Sequence, residues 1–234
     1  MDLTSHALPA ELRRAVVVDF PLRGEWAATS TPAERIPSHG TDYFAQRYAY
    51  DFYRLTSDGV KPYSAPVSKH LFGSIPAESC LCWNAPVFSA FAGIVIDARD
   101  GWPDRRRLSF LPDMLRATFG GAEPRGDDFR PLTGNYIIVE GEKGFAMYGH
   151  LREGSFLVRD GEAVDSGQAI GAVGNSGNST MPHLHFQLQS GPDPRTATAI
   201  PCAFTGYERF HKGSWERVID GFPGGLERIR IRDP

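Results

Sequence analysis

The chain is poor in cysteine: Cys80, Cys82 and Cys202 are the three present in 234 residues. So small and odd a number cannot build the disulfide framework of a small secreted domain, and the three are expected to be reduced core residues. Cys80 and Cys82 form a C-x-C pair of a kind that can bind a soft metal, but no second pair stands at finger-like spacing, so the reading as core residues is preferred. An excess of charge of one sign is also lacking. The 25 Lys and Arg against 28 Asp and Glu leave a formal net charge of −3, without the broad positive field of a nucleic-acid binder, so no nucleic-acid partner is expected. No apolar run approaches the roughly 18 residues of a membrane span, and no membrane span is expected. Near the start, Arg13 and Arg14 precede only the short run Ala15-Val16-Val17-Val18, too short for the apolar region of a signal peptide. The default expectation is therefore cytoplasmic, or extracytoplasmic if export follows another route. Exact internal repeats and low-complexity tracts are absent too, which excludes solenoids and arrays.

What is abundant is turn chemistry. With 25 Gly and 18 Pro among β-branched and aromatic runs, the chain reads as many short strands joined by tight turns. Strands are expected at residues 15–20 and in YAYDF, where aromatic residues alternate with Ala49 and Asp51. Two more are expected in PVFSAFAGIVIDA, meeting in a hairpin or bend at Ala92-Gly93. From Gly134 onward five follow in succession: NYIIVE, GFAMYGHL, SFLVRDGEAV, AIGAVGNSG and HLHFQLQS. Such a run argues for an all-β, mainly antiparallel barrel or sandwich. Residues 101–131, dense in Arg and Asp, read as a surface insertion with a short helix near 108–118, placed where it could overhang a site. One domain over 1–234 is the simpler organisation, with a core at about 17–205 and a tail at 206–234 that carries no recognisable chemistry.

The sharpest local signal is Pro182-His183-Leu184-His185-Phe186. Alternation along a strand sends both imidazoles to one face and Leu184 and Phe186 to the other. His150 ends the strand FAMYGH, at a tip where functional groups are displayed. His39, in a loop, and Asp51, aimed inward by alternation, add the residue types that complete a two-histidine, one-carboxylate metal shell. A single histidine is more commonly a hydrogen-bonded core residue than a ligand; four converging with an acid strain that account. Gly171, Gly174 and Gly177 read as turn and close-approach glycines, since no Lys-Ser/Thr follows to make a phosphate cradle. Asn135 reads as a turn-capping amide.

In order along the chain, YGHL, GEAVDSGQAIGAVGNSGNST and PHLHF resemble the motifs of the M23 metallopeptidases, the lysostaphin- and LytM-type family. RIPSHGTDYFAQRYAYDF resembles a branch of that family with its first histidine in an SHGT loop and its aspartate in a YAxDF strand. The likeness spans roughly residues 17–205. It implies a barrel-sandwich hybrid fold, Zn2+ held by His39, Asp51 and His185, and His150 and His183 as unliganded catalytic residues. Better-known members space the first histidine and the aspartate as H-x-x-x-D, and position 43 is Tyr43. Asp42 is close but out of step, and Asp51 is preferred because alternation aims it inward. The implied activity is zinc-dependent endopeptidase hydrolysis of a peptide amide, in a peptidoglycan cross-bridge or stem peptide. The alternative is a catalytically inactive M23-like regulatory or binding module, distinguished by loss of ligands, whereas all five residues are present. A lipoyl- or biotinyl-type carrier barrel would need a lysine at a hairpin tip, and residues 168–189 contain none.

Overall fold

The computed structural model describes residues 9–232 apart from 57, 60 and 121. Residues 1–8, ahead of the short apolar run at 15–18, and Gly121 of the turn-rich part of the insertion lie outside the described residues. The architecture is mostly β and predominantly antiparallel, as the alternation predicts. Ten strands make the path of the main sheet: β1 (Gly24–Ser30), β2 (Tyr50–Tyr53), β3 (Gly93–Arg99), β4 (Asn135–Gly141), β5 (Gly144–Leu151), β6 (Ala163–Val164), β7 (Leu184–Gln189), β8 (Tyr207–His211), β9 (Ser214–Val218) and β10 (Arg228–Ile231). Their spatial order is β6-β3-β4-β5-β7-β2-β1-β10-β8-β9, and the two-residue strand Ala199–Ile200 pairs with β7 as well. The path is open: β6 and β9 stand at opposite ends and do not close a barrel. The strand expected at 15–20 is Val16–Val18, which pairs in parallel with Cys202–Phe204.

The central strands are buried on both faces, β4 over its first five residues and β7 throughout, although one face of β7 carries the polar His185, Gln187 and Gln189. Trp26, Tyr50, Phe52, Tyr148, Phe186 and Phe204 fill the main core. A second cluster, Phe44, Phe129, Tyr136, Ile138 and Met147, packs beside it. All three cysteines are buried and free, and burial pushes the Cys80 and Cys82 thiols up to about 12.

One expectation is narrowed and two are corrected. Pro86–Phe88 and β3 do not pair with each other. Pro86–Phe88 pairs with Ala169–Ala172 and β3 with β4 and β6, so Ala92-Gly93 is a bend and no hairpin. In SFLVRDGEAV only Ala163–Val164 is strand, since residues 155–159 run as coil into a turn at Asp160. The tail beyond 205 is no appendage: β8, β9 and β10 extend the sheet from β1, and Tyr207, Ile229 and Ile231 belong to the main core. Those strands pair through charge and ring faces, which hides them from a search for apolar alternation. Glu208 takes Arg230 and Arg232, and the Arg230 guanidinium lies 4.3 Å from the centre of the Trp215 ring.

The insertion does carry its helix, α2 (Phe110–Phe119), and its root is fastened at two points. The Asn135 amide, fully buried, accepts from Trp102 N and donates to the Trp102 and Leu151 carbonyls, which makes it a pin between segments where a turn cap was expected. Asp104 accepts from the backbone N–H of Glu153 and Asn175. A short helix, α1 (Val67–Phe72), lies against α2.

Candidate active site

Sheet register assembles the site. In the β7–β2 ladder His185 stands directly opposite Asp51, and on the other side of β7 it stands opposite Gly149, one residue before His150. His183 lies just ahead of β7 on the face of His185. His39 arrives from the loop before β2, which is closed by Ser38 N–H to Arg47 O at 2.9 Å and bent by left-handed Phe44 and Ala45. All five predicted site residues are thus brought together, around a cleft of about 360 Å³ walled also by Tyr53, Leu132, Thr133, Asn178 and Thr180. Among the described residues, none from 101–131 lines this cleft, so the insertion borders it without covering it.

The two candidate acids part company. Asp42 is exposed and ion-paired with Arg47 at 2.6 Å. Asp51 is ringed by imidazole nitrogens: His39 Nε2 at 3.0 Å from Oδ2, with His185 Nδ1 at 3.0 Å and His183 Nε2 at 3.5 Å from Oδ1.

What each imidazole can offer is fixed by its far side. Ser38 Oγ donates to Gln46 O, so it accepts from His39 Nδ1–H and leaves a lone pair on His39 Nε2. His183 Nδ1–H donates to Met181 O at 2.8 Å, since the Ser179 hydroxyl beside it is itself committed to Met181 O. His150 Nδ1–H donates to Ser176 O at 2.9 Å. The Gln187 amide nitrogen is committed to Phe44 O and Gln189 Oε1, so Gln187 Oε1 accepts from His185 Nε2–H at 2.9 Å and leaves the lone pair on Nδ1. In their neutral forms, then, three imidazoles turn lone pairs toward a carboxylate. Acceptors facing acceptors at about 3 Å require positive charge between them, which protons or a metal cation can supply.

The electrostatics express the same demand. Burial by itself raises the Asp51 carboxyl, but the charges of His39 and His183 and hydrogen bonds from His183 and His185 outweigh it and hold Asp51 well below its usual range. Burial lowers His185, yet the hydrogen bond and charge of Asp51 more than reverse this and raise it. His150 has no such partner: burial first, then the charges of His183 and His185, push it well below its ordinary value, so it is a neutral base. His39, Asp51 and His185 form the one cluster among the described residues able to hold a metal ion, with ligand atoms within 4.8 Å of one another. Two imidazoles and a carboxylate, each presenting a lone pair inward, fit a divalent metal of the zinc type.

Two residues at the site were missed. Gln187 and Tyr53, whose ring stacks on His183 at 4.9 Å and 13°, are each two positions beyond a predicted residue on the same strand face, so period-two counting from His185 and Asp51 would have reached both. The glycines of GAVGNSG divide. A Cβ on Gly177 would meet Gly134 N at 2.1 Å, and one on Gly174 would meet Arg152 Cα at 2.4 Å, whereas at Gly171 contacts would be ordinary. The Gly134–Gly177 approach is what brings Ser176 O under His150.

Residues 116–196 match the model of peptidase family M23. His150, His183 and His185 lie within the match, His39 and Asp51 ahead of it. A peptidoglycan DD-endopeptidase of Vibrio cholerae, ShyA, is 27% identical over 61% of this chain and 26% of its own length. The glycyl-glycine endopeptidase ALE-1 of Staphylococcus capitis is 34% identical over 30% of this chain and 20% of its own. The chain thus spans about a quarter or less of these relatives. Among solved structures, the catalytic domain of lysostaphin from Staphylococcus simulans matches at 20% identity with a TM-score of 0.37, covering 83% of this chain and 95% of that one.

Proposed function

We propose that the protein is a zinc-dependent endopeptidase that hydrolyses peptide amide bonds in peptidoglycan, with His39, Asp51 and His185 holding the metal and His150 and His183 handling protons. The observation behind this reading is the convergence of three ligand atoms within 4.8 Å on the floor of a cleft whose other two imidazoles have their outer nitrogens occupied. The family match and the peptidoglycan endopeptidases among the relatives support the substrate class. A zinc ion held there would supply Lewis acidity toward the substrate carbonyl and bring the pKa of water down to about 7.

The chain's own residues supply the rest. Ser176 O and Met181 O hold the two unliganded imidazoles with Nδ1 protonated, so each offers Nε2 as the proton-accepting atom. His150, kept neutral by burial, presents a free lone pair as proton acceptor, and His183, beside the Asp51 carboxylate and stacked on Tyr53, is placed to stabilise a developing oxyanion. This substrate implies action outside the cytoplasmic membrane.

The test is elemental analysis of the purified protein beside Asp51→Ala and Asp42→Ala, with digestion of purified peptidoglycan. About one zinc per chain is expected in the wild type and in Asp42→Ala, with none in Asp51→Ala, and chelation abolishes peptide release. A wild type that stays free of zinc when zinc is supplied overturns the assignment and leaves the inactive binding module.

A further inference from the structure

On the far side of the insertion from its anchoring contacts, an amphipathic helix faces the wrong way. Along α2, Phe110, Leu111, Met114, Leu115 and Phe119 are exposed, Phe119 at 78%, while the polar Asp113 and Arg116 turn inward. Asp113 pairs with Arg105, and Arg116 donates to Asn178 Oδ1 and Ser179 O. Val67, Leu71 and Phe72 of α1 lie exposed as well, Phe72 at 89%. Hydrophobic burial predicts the opposite orientation for a helix on a soluble protein. Eight large apolar side chains on two touching helices are far more than the scattered exposure of an ordinary surface. α1 and Phe110–Leu115 of α2 precede the segment that matches the family model, and Phe119 lies within it.

We propose that this face docks onto an anionic lipid surface and so holds the cleft beside a membrane. Charge decides the occupant. Over residues 67–76 and 107–119 the charged side chains are Lys69, Arg107, Asp113 and Arg116, and Asp113 is taken up by Arg105 and Arg116. Lys69 and Arg107 have no carboxylate partner among the described residues, and together they line a surface dip with Phe72, although the chain as a whole carries a net charge of −3. Cations edging an apolar face match phosphate headgroups above acyl chains. A second copy docked by two-fold symmetry would instead set this cationic dip against its like. No helix among the described residues is long and apolar enough to cross a membrane, and α2, about 15 Å long at 1.5 Å per residue, suits shallow insertion parallel to the surface. Because Arg116 ties α2 to Asn178, which lines the cleft, docking would set the cleft at the membrane edge. The inference does not depend on the metal or on the peptidase reading.

Co-sedimentation with vesicles tests it, using phosphatidylcholine and phosphatidylglycerol at roughly three to one, and phosphatidylcholine alone as control. The wild type should bind the anionic vesicles and release at about 0.5 M salt. Leu115→Asp and Phe119→Asp should each lower partitioning at least about tenfold, and the pair Lys69→Glu with Arg107→Glu should remove the preference for phosphatidylglycerol. All four positions are on the surface, so unchanged circular dichroism and melting temperature are expected and are measured alongside. Absence of binding to anionic vesicles at low salt overturns the proposal, as does binding that every variant retains. A wild-type dimer in analytical ultracentrifugation that Phe119→Asp dissociates would overturn it also, assigning the face to a second copy.

Discussion

Replacing Gln187 with Leu cuts the chain of buried amides behind His185. Three polar atoms lose their partner together: His185 Nε2–H, Phe44 O and Gln189 Oε1. At about 1 kcal/mol each, the low end for a buried group left unpaired, the change destabilises by about 3 kcal/mol, a fall of roughly 6–12 °C in melting temperature for a chain of this size. A second effect is specific to the metal. With no acceptor at Nε2, the His185 proton moves to Nδ1, where Asp51 accepts it, and Nδ1 no longer offers a lone pair. Loss of such an outer partner lowers metal affinity about 10- to 100-fold. Zinc affinity measured by competition with a chromogenic chelator, beside thermal melting, separates the two. A variant that melts lower but binds zinc as tightly as the wild type refutes the assignment of the His185 tautomer to Gln187.

His183→Ala should keep zinc and lose turnover by about 100-fold or more, the range of a lost general acid-base group; unchanged hydrolysis of peptidoglycan would remove His183 from the mechanism. In the metal-free protein the raised pKa of His185 stabilises below its unfolded value of about 6.5, and that contribution is lost as pH rises through the raised pKa. The lowered Asp51 works in the opposite range, stabilising above about 3.8 and losing this as pH falls through its depressed pKa. Zinc competes with the His185 proton, so its affinity should fall about tenfold per pH unit below the raised pKa, read by chelator titration from pH 8 to about 5.5; flat affinity contradicts the ligand role. Gly177→Ala forces a side chain into a left-handed turn and against Gly134 N, so a loss of about 1–3 kcal/mol is expected in denaturant unfolding, and a neutral outcome would count against the close approach.

Period-two alternation made the pairing of His183 with His185 and the inward aim of Asp51 legible, because a strand's side-chain direction is set by the backbone alone. The cadence of Gly and Pro placed the strands from Gly134 onward for a similarly local reason. The coil at 155–159 was not legible, since SFLVR alternates like a strand but meets Ala169–Ala172 only through scattered hydrogen bonds such as Leu157 N–H to Ile170 O, without a regular ladder. Neither were β8–β10, whose charges and rings have meaning only opposite Glu25, Glu208 and Trp215.

The sequence alone determined the chemical inventory: four imidazoles and a carboxylate in two distant segments, the all-β character, and the family likeness of the motifs. Tertiary structure decided which acid stands with the histidines, because only the β7–β2 register sets Asp51 opposite His185 while Arg47 draws Asp42 to the surface. It also decided the tautomers: Ser176 O reaches His150 from a distant segment, and although Ser38, Met181 and Gln187 lie within two residues of the imidazoles they fix, Gln187 is itself oriented by Phe44 O from another part of the chain. It decided, too, that α2 turns its apolar face outward, because its polar residues found partners in Arg105, Asn178 and Ser179. Local pattern fixes what a side chain can offer; what it meets depends on segments brought together across the chain.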